Sequence, residues 1–199
     1  MSISYPLTPP SSPIHSSLEW RLESVVVSSV NRFNLKRTTQ EHAGKRWVLS
    51  VAFAPMTRAQ AAPWFAFFAK LDGVRGTFLY GSYLWRTPLG LAGGTPLVKG
   101  AGQTGQSLLV DGATPSAQFL KASDMFQIDN SLYQCVNDVS ANGSGEVTID
   151  IWPNLRTHLD NAPLTIVSPK CLMRMSVAPV VRELDSRLFS IQFEAEEAL

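Results

Sequence analysis

The residue types that most often carry chemistry are few and scattered in this 199-residue chain. His15, His42 and His158 stand singly and show none of the spacings that a metal site needs. The two cysteines, Cys135 and Cys171, lie far apart and outside any CxxC or Cys/His cluster. We therefore expect no metal, no cofactor and two packed, reduced thiols in a protein made in a cytoplasm.

Two pairs of carboxylates have residue types that could support hydrolysis: Asp124 with Asp129, and Asp138 with Asp150. All four lie at predicted turns or strand ends, where carboxylates are usually solvated. We therefore interpret them as surface residues rather than as an acid–base pair.

Three further features resemble functional groups without the context that function requires. Cys135 lies in an apolar stretch, which is typical of a packed thiol rather than a nucleophile. His158 lies in a predicted loop and is interpreted as a surface residue. The segment Gly100–Gly105 matches G-x-G-x-x-G, but no buried parallel strand precedes it and no apolar helix follows, so a flexible loop is expected. We predict no catalytic residues and no enzyme.

The elements are organised around a strand–helix–strand unit from Arg46 to Tyr80. Its first strand alternates apolar and small or polar residues and ends at Pro55, and its second strand covers Thr77–Tyr80. Between them, Thr57 and Gln60 fit a capping box, and Asp72–Gly73 fits a helix end. The helix carries an apolar stripe at positions i, i+3, i+4 and i+7, formed by Trp64, Phe67, Phe68 and Leu71.

Pro63 leaves the start of this helix open. Either the helix begins near Ala62 with Pro63 at its first position, or it begins at Thr57 and kinks.

The region before this unit predicts more sheet. Leu18–Val27 alternates as a half-buried strand, and Val25–Val27 could be buried on both sides. A second strand, Asn34–Thr39, would join the central strand through a turn at His42–Lys45, with Gly44 supplying a positive φ. Residues 1–17, with Pro and six Ser, predict an extended arm that is either disordered or laid along a neighbour.

A change in composition from Arg86 to Pro96 marks a linker into a region of short strands and polar turns. Four or five strands in this region suit a small OB- or SH3-like β-barrel. Two further strands, Leu172–Val177 and Phe189–Phe193, need another sheet. The predicted fold is therefore mainly β with one helix (α+β): a discontinuous, β-sandwich-like belt domain (1–94 and 162–199) with an inserted barrel (95–161).

The overall charge and hydropathy limit the classes of partner. The formal net charge is +1 and charged residues make up 17% of the chain, so no nucleic-acid footprint is indicated. No apolar run is long enough for a membrane-spanning helix and the N-terminus lacks a secretory signal, so we expect no membrane insertion. Ten Phe and five Trp suggest surfaces covered by partners, although a large core would use the same residues.

The segment Leu120–Arg156 has an acidic-aromatic strand start, an "LY" return strand, an "SxGxG"-like turn and a final "PNLR". Together with "GAGQTGQSLLVDG" and "QAAPWFAFFAKLDGVRGTFLYG", it resembles the distal tail proteins of long-tailed (siphovirus) bacteriophages. This resemblance covers about half of the chain. It implies the same split domain with an OB-like insert, and no catalytic residues.

The resemblance further implies a structural virion protein that forms a hexameric ring at the tail tip or baseplate. Such a ring would join the tail tube protein to the tip hub protein and leave a channel for genome ejection. The alternative is a carbohydrate- or receptor-binding module of the tail tip, with Tyr133 and Trp152 as the candidate glycan contacts.

Overall fold

The computed structural model describes residues 3–184 and 187–199, and the chain is mainly β with one α-helix, as predicted. Most strands belong to two six-stranded sheets, one of which is nearly closed into a barrel. In chain order the elements are β1 (Ser17–Val30), β2 (Arg37–Ala52), α1 (Arg58–Leu71), β3 (Thr77–Tyr80), a 3-10 turn (Tyr83–Trp85), β4 (Gly94–Val98), β5 (Ser107–Ala113), β6 (Gln118–Leu120), β7 (Met125–Ile128), β8 (Ser131–Cys135), β9 (Val139–Ser140), β10 (Val147–Trp152), β11 (Leu164–Thr165), β12 (Cys171–Met175), β13 (Val180–Leu184) and β14 (Leu188–Glu197).

The first sheet is antiparallel and combines strands from both ends of the chain. Its order is β1-β2-β14-β12-β3, and β13 pairs along a further part of β14. The alternation in β2 buries Trp47, Leu49 and Val51, as the sequence predicts. Rings from α1 cover this face: the Trp64 ring lies 4.5 Å from that of Phe53 and 6.0 Å from that of Phe193.

Helix α1 begins after Thr57, with the capping interaction that the sequence predicts. The Thr57 N–H donates to Gln60 Oε1 at 2.9 Å, which satisfies a backbone donor at the helix start. Pro63 therefore lies inside the helix rather than at its first position. The helix buries Trp64, Phe67 and Leu71 of the predicted stripe, and Phe68 is partly buried.

The second sheet lies entirely between Gly94 and Thr165 and curves towards closure. Its order is β11-β7-β8-β10-β5-β4, and a bridge between Leu97 and Pro163 brings its two ends together. Hydrogen bonds of 2.9 Å from Val98 N to Ala162 O and from Asn161 N to Val98 O reinforce this closure. The barrel has an apolar core of its own, which includes the fully buried Phe126.

The barrel and the first sheet nevertheless share buried contacts. Met125 and Leu132, from the β7–β8 hairpin, pack in the core of the first sheet. The Trp47 indole Nε1 donates to the Leu132 carbonyl at 3.0 Å. Arg156 donates to the Lys45 carbonyl at 2.8 Å and contacts Glu197 at 3.3 Å. The inserted barrel is thus attached through polar and apolar contacts as well as through its two connections.

Three predictions about the first strands are wrong. The strand predicted at Asn34–Thr39 begins only at Arg37, because Asn34 lies in the turn before it. The segment His42–Lys45 is not a turn, because β2 runs without interruption from Arg37 to Ala52. The strand pairing is irregular here instead: Ser24 pairs with Lys45, whereas Val26 pairs with Glu41, so β2 has extra residues at this point. Val25–Val27 is exposed rather than buried on both sides, because nothing in the described chain covers either face of this part of the β1–β2 pair.

The N-terminal arm lies along its own chain, which neither of the two predicted alternatives described. Leu7 forms a parallel bridge with Phe78, and its N–H donates to the Thr77 carbonyl at 2.8 Å. The Tyr5 hydroxyl donates to the Lys70 carbonyl at 2.8 Å. The arm therefore covers the outer edge of β3.

Candidate functional site

The most conspicuous surface is the outer part of the β1–β2 pair, residues 24–44, which we call the projecting hairpin. Every residue from 21 to 44 is exposed, so neither face of this part of the pair is covered. Exposed apolar side chains nevertheless follow one another along β1 and around the tip, where Phe33 is 101% and Leu35 79% exposed. Exposed apolar patches are one mark of interaction sites, and the hairpin is therefore the candidate site.

The tip of the projecting hairpin is an ordered turn rather than a loose loop. The Asn31 side chain accepts from the Phe33 N–H at 2.9 Å, and the Asn34 side chain accepts from the Lys36 N–H at 3.0 Å. Leu35 adopts a left-handed φ of 56°, which places strain on a branched residue. The two asparagines thus hold Phe33 and Leu35 at the end of the hairpin.

Polar contacts fix the base of the hairpin to the sheet. Lys45 is 6% exposed and its ammonium lies 2.6 Å from Glu41, across the shift in strand pairing. Arg46 bridges two neighbouring strands, with contacts of 2.5 Å to Glu23 and 2.7 Å to Glu196. These contacts hold the direction in which the hairpin leaves the sheet.

The two edges of the first sheet differ. β1 is an edge strand of 14 residues, and within the described chain only β2 pairs with it. At the opposite edge, β3 is covered by the arm at Leu7. An uncovered edge strand presents unpaired backbone N–H and C=O groups that another chain can use. Strand β1 thus forms both the free edge of the sheet and one strand of the projecting hairpin.

The four predicted carboxylates have separate structural partners. Asp124 is buried and accepts three backbone N–H groups: Leu89 at 2.7 Å, Gly90 at 2.9 Å and Lys121 at 2.8 Å. It therefore ties the linker to the barrel. Three further contacts of 2.8 to 2.9 Å account for the others: Asp129 with His158, Asp138 with the Ala122 N–H, and Asp150 with Asn137.

His158 is buried rather than exposed, contrary to the prediction. Its Nδ1 lies 2.8 Å from Asp129 Oδ2 and its Nε2 lies 2.7 Å from the Tyr133 hydroxyl. Tyr133 is 0% exposed, and burial raises the pKa of its hydroxyl. Asp129, His158 and Tyr133 are linked in the order of a catalytic relay, but the enclosed Tyr133 cannot contact a substrate. The three linked side chains join parts of the barrel instead.

Burial also governs the chemistry of the two cysteines. Both are buried free thiols, as expected. Burial raises the pKa of Cys135 to about 11 and that of Cys171 well above its usual range. Since the thiolate is the reactive form, neither side chain is arranged as a nucleophile.

The two candidate glycan contacts do not form an exposed platform. Tyr133 is enclosed in the barrel core. Trp152 is partly buried and packs edge-on against Trp47, with ring centroids 4.7 Å apart. The two residues therefore belong to separate packed clusters.

The glycine-rich segment is a clamped loop between β4 and β5. Gly100, Gly102 and Gly105 all adopt positive φ. The Gln103 side chain lies across the loop, where it donates to the Lys99 carbonyl at 2.8 Å and accepts from the Leu109 N–H at 2.7 Å. Its setting in an antiparallel barrel lacks the strand–helix geometry of a dinucleotide site.

Sequence reasoning did not single out Phe33 and Leu35, the exposed apolar side chains at the hairpin tip. Two asparagines around them, Asn31 and Asn34, were the available signal, because asparagine is favoured in turns. Across the described residues, no group of three His, Cys, Asp or Glu side chains could hold a metal ion, and no helix is long and apolar enough to cross a membrane. Comparison with models of known families and with curated proteins finds no match for this chain.

Proposed function

We propose that this chain is a structural ring subunit of the distal tail kind, located at the tail tip of a long-tailed phage. The observation that carries the proposal is the projecting hairpin, which exposes Phe33 and Leu35 at an ordered tip. A solitary two-stranded hairpin is at best marginally stable in water. A second copy of the chain would bury these side chains and stabilise the hairpin.

The asymmetry of the first sheet supports head-to-tail association. One edge is the free strand β1 and the other is β3 with its arm, so the two flanks present different surfaces. Contact between unlike surfaces generates a ring when the rotation closes, and an open filament when it does not. The resemblance to distal tail proteins favours closure with six subunits.

The proposed ring leaves two axial faces for other partners. We assign these faces to the tail tube protein and to the tip hub protein, with a central channel for the genome. The low charged fraction of 17% suits a subunit whose surface is mostly covered in an assembly. The role is structural, without catalysis.

The hairpin tip provides the first test. In the variant Phe33→Ser/Leu35→Ser, we expect loss of assembly with an unchanged melting temperature, because both side chains lie on the surface of the monomer. Mass photometry of wild type and variant, alone and with the tube and hub proteins, measures the assembly. The matched control is Leu159→Ser, which changes a 76% exposed leucine outside the hairpin.

Wild-type protein should form rings under at least one of these conditions, and the control should behave as wild type. Rings that persist unchanged in the tip variant would show that the hairpin does not join subunits. A wild type that stays monomeric with both neighbours present would contradict the proposed function.

A further inference from the structure

A cleft lies between the N-terminal arm and the first sheet, and no role in the proposed ring requires it. Its volume is about 340 Å³, which falls in the range of small-ligand sites. Three segments that are distant in sequence form it: residues 8–15 of the arm, residues 79–86 after β3, and residues 168–170 before β12. We call this space the arm cleft.

Short contacts hold the three segments together. The Ser168 N–H donates to the Arg86 carbonyl at 2.9 Å. At Gly81 the backbone approaches so closely that an added Cβ would lie 2.6 Å from the Pro169 carbonyl oxygen. On the arm side, His15 Nδ1 lies 3.1 Å from the Tyr80 hydroxyl. The arm cleft is therefore a built feature of the fold.

The charge in the arm cleft has one sign. Arg86 and Lys170 line it, and none of the described residues that line it is Asp or Glu. Neither cation forms an ion pair with a carboxylate elsewhere in the described residues. A concave space with two uncompensated cations attracts an anion.

The guanidinium of Arg86 is positioned for a planar anion. Its central carbon lies 3.8 Å from the centre of the Tyr83 ring, so the ring supports one face of the group. The N–H groups of a guanidinium all lie in its plane. They remain able to donate two parallel hydrogen bonds, the geometry that a carboxylate accepts.

The remaining walls are largely apolar. Phe53, Trp64 and Leu79 contribute from the sheet and helix, and Ile14 with several prolines contributes from the arm. Burial lowers the pKa of His15 below its ordinary 6.5, so this ring is neutral at pH 7 and leaves the positive charge to Arg86 and Lys170. The walls thus suit an apolar body, and the two cations suit its charged end.

We propose that the arm cleft binds a carboxylate carried on an apolar body, with Arg86 and Lys170 at the carboxylate and the aromatic wall at the body. The carboxylate could belong to a free small molecule or to the C-terminus of a peptide, since both present the same chemistry. This proposal does not depend on ring formation.

The test uses phenylacetate as the probe and isothermal titration calorimetry of the full chain at low ionic strength. We expect phenylacetate to bind and its neutral isostere phenylacetamide to bind about tenfold more weakly or worse, because the amide cannot accept charge-assisted hydrogen bonds at both oxygens. Acetate should bind more weakly than phenylacetate, since it lacks the apolar body. The peptide Gly-Gly-Phe, with a free and with an amidated C-terminus, distinguishes a chain terminus from a small molecule as the source.

The variant Arg86→Gln/Lys170→Gln should weaken phenylacetate binding by about tenfold or more and leave phenylacetamide binding unchanged. The matched control, Lys36→Gln/Arg58→Gln, removes two exposed cations outside the cleft and should bind as wild type. Absence of phenylacetate binding, equal binding of the amide, or full binding by the cleft variant would each overturn the proposal. The comparison of acid and amide uses wild-type protein, so it stands even where a variant fails to fold.

Discussion

At the scale of single residues, the polar side chains of this protein mostly hold segments in place. Asp124 shows this most directly: one buried carboxylate accepts N–H groups from Leu89, Gly90 and Lys121. A carboxylate can do so because both of its oxygens are acceptors and neither carries a proton. The same residue type that suggests acid–base chemistry in the sequence fixes the linker to the barrel in the fold.

Asp124→Asn tests this role. The amide replaces one acceptor oxygen by an N–H₂ group that faces backbone donors, so we expect a loss of about 2–4 kcal/mol in the free energy of unfolding. Urea denaturation of wild type and variant measures the loss. Asp111→Asn, for which the described residues offer no hydrogen-bond partner, should cost less than about 0.5 kcal/mol. Equal stability of the two variants would show that the linker is held by other contacts.

At the scale of elements, the sequence predicts those parts whose local signals agree with their tertiary contacts. Helix α1 has its capping residues, its apolar stripe and its buried face in one place, and β2 has its alternation where a sheet face is covered. The exposed valines of β1 were misjudged because a run of β-branched residues indicates a strand but not whether anything covers it. β11 was missed because it is two residues long and pairs with the distant strand β7. β4 and β13 pair with the strands that follow them, but each has only five residues and no clear apolar–polar alternation.

The candidate sites show the same limit. The arm cleft combines residues near positions 15, 83 and 169, which only the folded topology brings together. The turn at Asn31–Lys36 was overlooked because Gly44 gave a stronger turn signal. Gly44 instead lies within β2, close to Val25 of β1. A Cβ added to Gly44 would lie 3.1 Å from the Val25 Cγ2.

Helix α1 also yields a prediction at this scale. Trp64 is 2% exposed and packs among Phe53, Phe67 and Phe193. Trp64→Ala should therefore lower the free energy of unfolding by about 3–5 kcal/mol, because it removes a large buried ring and leaves a cavity. Chemical denaturation followed by far-UV circular dichroism measures this loss. Lys70→Ala, an exposed position in the same helix, serves as the control. A loss below that expected for a surface change would mean that the helix does not pack on the sheet as described.

At the scale of the whole molecule, the relation between barrel and sheet decides how the protein behaves. The sequence predicts an inserted barrel that could be removed at little cost, because the entropic cost of closing a loop increases only slowly with its length. The structure adds contacts that oppose this expectation. Leu132 is 0% exposed within the first core, and its carbonyl is the acceptor for the Trp47 indole.

Replacing the whole barrel, residues 94–166, with a short Gly/Ser linker should therefore destabilise the remaining sheet, since it uncovers Trp47 and leaves its N–H without that acceptor. We expect a lower melting temperature than in the full chain, measured by differential scanning fluorimetry. The isolated barrel, which keeps its own core, is expected to fold as a small β protein. A deletion variant as stable as the full chain would show that the shared contacts contribute little.

The central claim is that copies of this chain assemble into a closed ring through their hairpins and sheet edges. The most direct test is native mass spectrometry of the wild-type protein with the proposed tube and hub proteins, followed by negative-stain class averages of the same sample. A hexameric ring would give a species of six times the mass of one chain, with a central channel and six-fold symmetry. A population of monomers alone, or open filaments without a closed ring, would contradict this claim.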